Sequence, residues 1–169
     1  NTHRAPTSNS PHTGTMGTRR SIATAFQLLD IEGDGFHVMI SGKINGKEAH
    51  FLIDTGASRS VFDTDTISCF IDTPLFQKKE GITAGLGSSD MESATFDIER
   101  LELGPLPIEH YEAVALDLSN IHSSYEQLRL PRIHGIIGGD LLVRYKAVIN
   151  YRQRKIRFTP KMQKKQDNK

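Results

Sequence analysis

Cysteine is almost missing from this chain of 169 residues: Cys69 stands alone. A single cysteine cannot close an internal disulfide, and no Cys/His group has zinc spacing, so neither staple is expected. Cys69 follows a mixed apolar stretch and is expected to be a small buried side chain, not a nucleophile. Long apolar runs are also lacking; none approaches the roughly 18–20 residues of a membrane span. An excess of one charge is missing too. Lys and Arg number 21 against 20 Asp and Glu, a net charge of +1. The global charge therefore points to no nucleic-acid partner. The last ten residues are basic, but a frayed, solvated end is the expected meaning. Internal repeats are lacking, and Asp-Thr-Gly occurs once.

What remains is a composition suited to one soluble globular domain, with 37% hydrophobic residues and too little length for two ordinary domains. Residues 1–20 are dominated by Thr, Ser, Asn, Pro, Gly and His. They have little to bury and read as a flexible leader. No signal peptide is visible in them. The compartment stays open between cytoplasm and a periplasmic or secreted location reached after removal of a signal segment. The expected organisation is a leader at 1–20, a domain at 21–160 and a basic flexible tail at 161–169.

Order is expected to begin near 22–29. Phe36, Val38 and Ile40 then alternate with His37, Met39 and Ser41, the period of a strand. Asn45-Gly46 supplies the positive φ angles of a tight turn, so a hairpin of 36–44 with 47–54 is predicted. Further strands are expected at 81–86, 91–103 and 107–117, with a turn at Gly104-Pro105-Leu106-Pro107. Residues 119–128 suit a short helix ended by Pro131. Residues 139–145 suit a second, and 147–158 a closing hairpin. Many short strands with few helices imply an all-β, mostly barrel or sandwich, architecture.

Two stretches carry chemistry. In Phe51-Leu52-Ile53-Asp54-Thr55-Gly56-Ala57-Ser58 an apolar strand delivers a carboxylate to a tight, Gly-containing turn. Such an acid is either exposed by the turn or held by hydrogen bonds, because a bare buried carboxylate is costly. Gly56 lets backbone N–H groups approach it. In Ile133-His134-Gly135-Ile136-Ile137-Gly138-Gly139-Asp140-Leu141-Leu142, β-branched residues followed by glycines make a strand that must pass another backbone closely. A helix can start there with Asp140 near its favourable N-terminal end.

Together these stretches resemble the aspartic proteases. The first is similar to their Asp-Thr-Gly active-site loop, in the Asp-Thr-Gly-Ala form typical of the retroviral enzymes. The second resembles the hydrophobic-hydrophobic-Gly signature that packs behind that loop. The resemblance spans roughly residues 35–158. It implies a retropepsin-like lobe: a closed β-barrel with one or two short helices, working as a homodimer. One loop brings one carboxylate and the chemistry needs two, so Asp54 would meet its own symmetry mate. By the same resemblance Thr55 would cross-link the two loops and the Gly56 N–H would bond the carboxylate. Ala57 replaces the hydroxyl residue usual in pepsin-like lobes, which implies a mildly acidic optimum. Ala84, Gly85, Leu86 and Gly87 stand where the family places its flap. With Ala57 they would line the site of an extended peptide or protein substrate. No cofactor and no metal are implied. The stretch between the two signatures is longer than in the compact retroviral enzymes, with the excess expected within 104–131.

Other patterns resolve into plainer readings. Asp30-Ile31-Glu32-Gly33-Asp34-Gly35 hints at a calcium loop, but the twelfth position is Ser41, not Glu, so a polar turn is expected. Gly85-Leu86-Gly87 lacks the context of a dinucleotide site. Ser58 and Ser60 have no histidine partner nearby in sequence. His134 reads as a satisfied structural histidine, and His37 and His50 are expected to face each other across the hairpin. Beside the endopeptidase reading stands a second one: a retropepsin-fold dimerisation or binding module with latent or no proteolytic activity.

Overall fold

A computed structural model describes residues 20–71, 77–78 and 94–161. It contains strands β1 (Ile22–Ala25), β2 (Gln27–Asp30), β3 (Phe36–Ile44), β4 (Lys47–Ile53), β5 (Val61–Asp63) and β6 (Gln77–Lys78). These are followed by β7 (Ala94–Leu103), β8 (Leu106–Leu116), β9 (Gly135–Ile137), β10 (Val148–Asn150) and β11 (Lys155–Phe158). Three helices intervene: α1 (Thr64–Ile67), α2 (Ser119–Gln127) and α3 (Gly139–Arg144). The strand predicted at 81–86 and the flap residues Ala84, Gly85, Leu86 and Gly87 lie outside the described residues, as does nearly all of the leader and the tail.

The larger sheet closes on itself. Its order is β2-β3-β4-β9-β5-β8-β7-β6, and β3 also pairs with β7. Strands β3, β4, β9, β5, β8 and β7 thus form a six-stranded barrel, with β2 and β6 as outliers. Closure leaves no free edge among the six barrel strands, and the edges of this sheet lie on β2 and β6. The smaller sheet, β1-β11-β10, packs Ile156 and Phe158 into the same core. The fold is mostly β, as expected, with a closed barrel and short helices.

The β3–β4 hairpin turns at Asn45 (φ 49°) and Gly46 (φ 82°), the two left-handed residues that Asn-Gly supplies. Alternation along β3 is broken, however. Phe36 is exposed and Met39 is buried. The reason is α2, whose Tyr125 joins Leu29, Met39, Leu52 and Ile133 in a second apolar cluster. The barrel is therefore covered on that outer face, and Val38, Met39 and Ile40 are buried in succession. α2 ends at Gln127, before Pro131; Arg129 takes a left-handed φ of 55° and Leu130 N–H bonds Tyr125 O.

The β7–β8 hairpin turns on Gly104-Pro105 alone, because Leu106 already pairs with Leu103 and Pro107 with Glu102. Along these long strands the buried phase shifts by one residue. Phe96 and Ile98 point inward, then Leu101 and Leu103 do; on the partner strand Ile108 is followed by Tyr111 and Ala113. Both shifts fall at the same level, where His110 has φ 49°. Two expectations fail. Cys69 is exposed, on the turn after α1, a helix that no local signal announces. His37 and His50 do not face each other: His50 pairs with Ser41 in the hairpin, and His37 pairs with Leu29 and hydrogen-bonds the Tyr125 hydroxyl. No described helix is long and apolar enough to cross a membrane.

Candidate functional site

β4 ends inside the sheet, between β3 and β9. Ile53 pairs antiparallel with Val38 and parallel with Ile137. Phe51 and Ile137 are fully buried, and Phe51 packs edge-on against Phe62 of β5. Burial of each such side chain is worth about 1.5–3 kcal/mol, so the rear of the loop stands on a firm base. The next residue, Asp54, emerges from that base and is exposed, as are Thr55 and Gly56. The carboxylate thus avoids the desolvation that a buried acid would suffer.

Main-chain bonds set its direction. The Asp54 amide donates to Ile137 O at 2.9 Å. The Gly56 amide donates to Asp54 Oδ1 at 2.9 Å, and the Ala57 amide to Asp54 O at 3.2 Å. The expected contact between Gly56 N–H and the carboxylate is therefore present. Ala57 is half-buried and offers no hydroxyl. Thr55 lies beside Asp54 in the same exposed turn.

The Ile-Ile-Gly segment runs directly behind this loop. Gly138, which precedes α3, has an ordinary extended φ of −111°, so its requirement is not conformational. A Cβ there would meet Ala57 O at 2.7 Å and Arg59 O at 2.9 Å. The next two amides hold the loop: Gly139 N–H donates to Ala57 O at 2.7 Å and Asp140 N–H to Ser58 O at 3.1 Å. Asp140 is in the first turn of α3, as expected, but its carboxylate faces the loop. Oδ1 accepts from the Ser60 amide at 2.8 Å and from Ser60 Oγ at 2.7 Å. Oδ2 accepts from the Tyr111 hydroxyl at 2.8 Å. Burial, and then the Asp140 carboxylate, push the Tyr111 pKa well up, which keeps this hydroxyl a donor.

Ser60 and Tyr111 as partners of Asp140 escape a reading of the sequence, in which Ser60 is only a serine without a histidine. Positions 60, 111 and 140 share no local pattern, and only the barrel brings them together.

Histidines surround the other end of β9. The His50 amide donates to His134 Nδ1 at 2.9 Å, and the His134 amide returns a bond to His50 O at 2.9 Å. His134 is thus a satisfied structural histidine, as expected. Asp63, fully buried at the end of β5, accepts the Leu118 amide and lies 3.7 Å from Arg132 and 3.9 Å from His122. Asp63, Asp65 and Asp117 bring carboxylate oxygens within 4.8 Å of one another, yet Asp63 already serves these partners. A shallow concavity on the β3–β4 hairpin, lined by Lys43, Glu48 and His50, includes no residue of the Asp54 loop.

The family described as Aspartyl protease matches residues 40–141. Among solved structures, the chain is similar to a retropepsin-like aspartic protease from Rickettsia conorii, at 16% identity and a TM-score of 0.49, covering 82% of this chain and 90% of that one. It is also similar to the retroviral protease-like domain of Ddi1 from Leishmania major, at 17% identity and a TM-score of 0.48, covering 73% and 94%. No curated protein matches. The family match takes in more than half of the chain, the Asp-Thr-Gly loop and the Ile-Ile-Gly segment, and the chain belongs to the aspartyl protease family.

Proposed function

We propose that this protein is an aspartic endopeptidase, active as a homodimer, with Asp54 of each copy supplying one carboxylate of the dyad. The observation that carries this reading is the exposed Asp54 itself, set at the end of a buried strand with the Gly56 N–H on its Oδ1. Membership of the aspartyl protease family supports the chemistry. The chain holds one Asp-Thr-Gly loop, so a second copy related by a twofold axis is the simplest source of the other acid.

Two carboxylates at such an axis share one proton and titrate as a pair. The ionised member removes a proton from a water as its oxygen attacks the scissile carbonyl carbon. The protonated member donates to the carbonyl oxygen. The tetrahedral intermediate then collapses as a proton passes to the leaving nitrogen. The Gly56 amide holds one carboxylate oxygen in place. Thr55 links the two loops across the axis. Ala57 contributes to the substrate site and withholds the hydroxyl that would stabilise the ionised acid, so the optimum is mildly acidic. Ala84, Gly85, Leu86 and Gly87, which lie outside the described residues, are assigned with Ala57 to the binding of an extended peptide. Apolar residues flank the cut.

The test is cleavage of an unfolded protein or peptide library from mildly acidic to neutral pH, by wild type and by Asp54→Asn. Cleavage is expected from wild type and should fall by at least about a thousandfold in a folded Asp54→Asn dimer. A folded, dimeric wild type that cuts nothing would favour the non-catalytic binding module.

A further inference from the structure

The loop from β4 to β5, residues 54–60, projects Asp54 into solvent, so the position of that carboxylate depends on how the loop's two ends are held. The first end is fixed by the sheet, through the Asp54 amide and Ile137 O. The second end is held by the turn that leads into α3, and Ser60 is its centre. Ser60 is completely buried. Its Oγ accepts the Gly138 amide hydrogen at 2.9 Å and donates to Asp140 Oδ1 at 2.7 Å. Its own amide donates to the same oxygen at 2.8 Å.

One carboxylate therefore gathers three donors from two elements. Ser60 N–H and Ser60 O–H come from the loop, and the Tyr111 O–H comes from β8 at 2.8 Å. The remaining loop attachments, Gly139 N–H to Ala57 O and Asp140 N–H to Ser58 O, belong to the same turn. Their aim depends on the orientation that the Asp140–Tyr111 bond gives it. Loss of the carboxylate would leave three buried donors, two on Ser60 and one on Tyr111, without their acceptor. The loop would then be anchored firmly at one end only.

We propose that Asp140 is a positioning residue for Asp54, acting through Ser60 and braced by Tyr111. The proposal rests on the reading of Asp54 as the catalytic carboxylate. Asp140 has no contact with the reacting atoms in this role. It holds the 54–60 loop so that two copies of Asp54 can approach in register.

The experiment compares wild type, Asp140→Ala, Asp140→Asn and Ser60→Ala as full chains. It measures kcat and KM on one peptide and, separately, the amide hydrogen exchange of residues 54–60. Asparagine retains an acceptor for Ser60 and can bond the Tyr111 oxygen, so it tests geometry apart from charge. In Asp140→Ala and Ser60→Ala, kcat should fall about 10- to 100-fold with KM within about threefold, the signature of lost alignment. Loop amides should exchange about tenfold faster, while those of the β7–β8 hairpin keep their rates. Asp140→Asn should recover most of kcat. Unchanged kcat and unchanged loop exchange in the alanine variants would overturn the proposal. So would an equal acceleration of exchange throughout the barrel, which would mean general destabilisation. If Asp140→Ala does not fold, Ser60→Ala decides by the same readouts. If wild type cleaves nothing, the reading of Asp54 fails, and loop exchange alone still tells whether Asp140 holds the loop.

Discussion

His134 shows how a single side chain can tie stability to pH. Its Nδ1 accepts the His50 amide, so the ring must be unprotonated at that atom for the bond to exist. Burial, and then the nearby His50, Arg132 and His122, lower its pKa from the ordinary 6.5; Asp63 opposes them. The folded value therefore lies below the unfolded one, and between the two the unfolded chain binds more protons. Stability is complete above the ordinary value of 6.5 and is lost as pH falls through the window beneath it. His134→Asn places an amide oxygen near the Nδ1 position and removes the titration. The urea midpoint should drop less between about pH 7.5 and about pH 5 in this variant than in wild type. Parallel pH dependences in the two proteins would show that His134 is not the group responsible. Tyr125, whose pKa burial raises to about 12, stays protonated across this range and gives no competing signal.

At the scale of elements, β9 and the start of α3 form the platform of the candidate site. β9 pairs parallel with β4 and antiparallel with β5, and so joins the strand that enters the Asp54 loop to the strand that leaves it. Gly138 closes this platform against the loop. Because its φ of −111° suits any residue, replacement by alanine tests contact alone. The added Cβ would have to displace backbone atoms of Ala57 and Arg59 at 2.7–2.9 Å, and backbone yields less readily than a flexible side chain. Gly138→Ala is expected to cost about 1–3 kcal/mol of unfolding free energy by denaturant titration. A variant as stable as wild type would mean that the loop can move aside freely. α2 acts differently. It covers the outer face of β3 and β4, and its Tyr125 accounts for the buried Met39 and Leu52 that strict alternation along the strands would leave outside.

For the whole molecule, the barrel explains why a short chain can hold an exposed acid on a stable frame. Six strands close on one another, and their inward side chains merge with those of the β1-β11-β10 sheet in a single core. One such lobe has one Asp-Thr-Gly loop, and the proposed chemistry needs two, so on that proposal activity requires self-association. Sedimentation should give a mass about twice the 18.8 kDa of one chain under conditions where peptides are cleaved. Specific activity should also fall on dilution once monomers prevail. Cleavage that needs Asp54 in a strict monomer, with undiminished specific activity, would rule out a dyad shared by two copies.

By itself the sequence determined the elements whose signals are local. The Asn45-Gly46 turn, the apolar run into Asp54, and the Ile-Ile-Gly strand leading to α3 each depend on neighbouring residues, so each is legible in the order of residues alone. The Gly56–Asp54 bond is legible for the same reason, since two positions along the chain separate its ends. Tertiary structure alone decided the rest. Met39 is buried because a helix some eighty residues away lies over it, and Cys69 is exposed on the hydrogen-bonded turn that follows α1. Asp140 reads locally as a helix-start acid. Its partners Ser60 and Tyr111 come from distant parts of the chain, and their meeting is fixed by the adjacency of β9, β5 and β8, a property of strand order and register that no short stretch of sequence encodes.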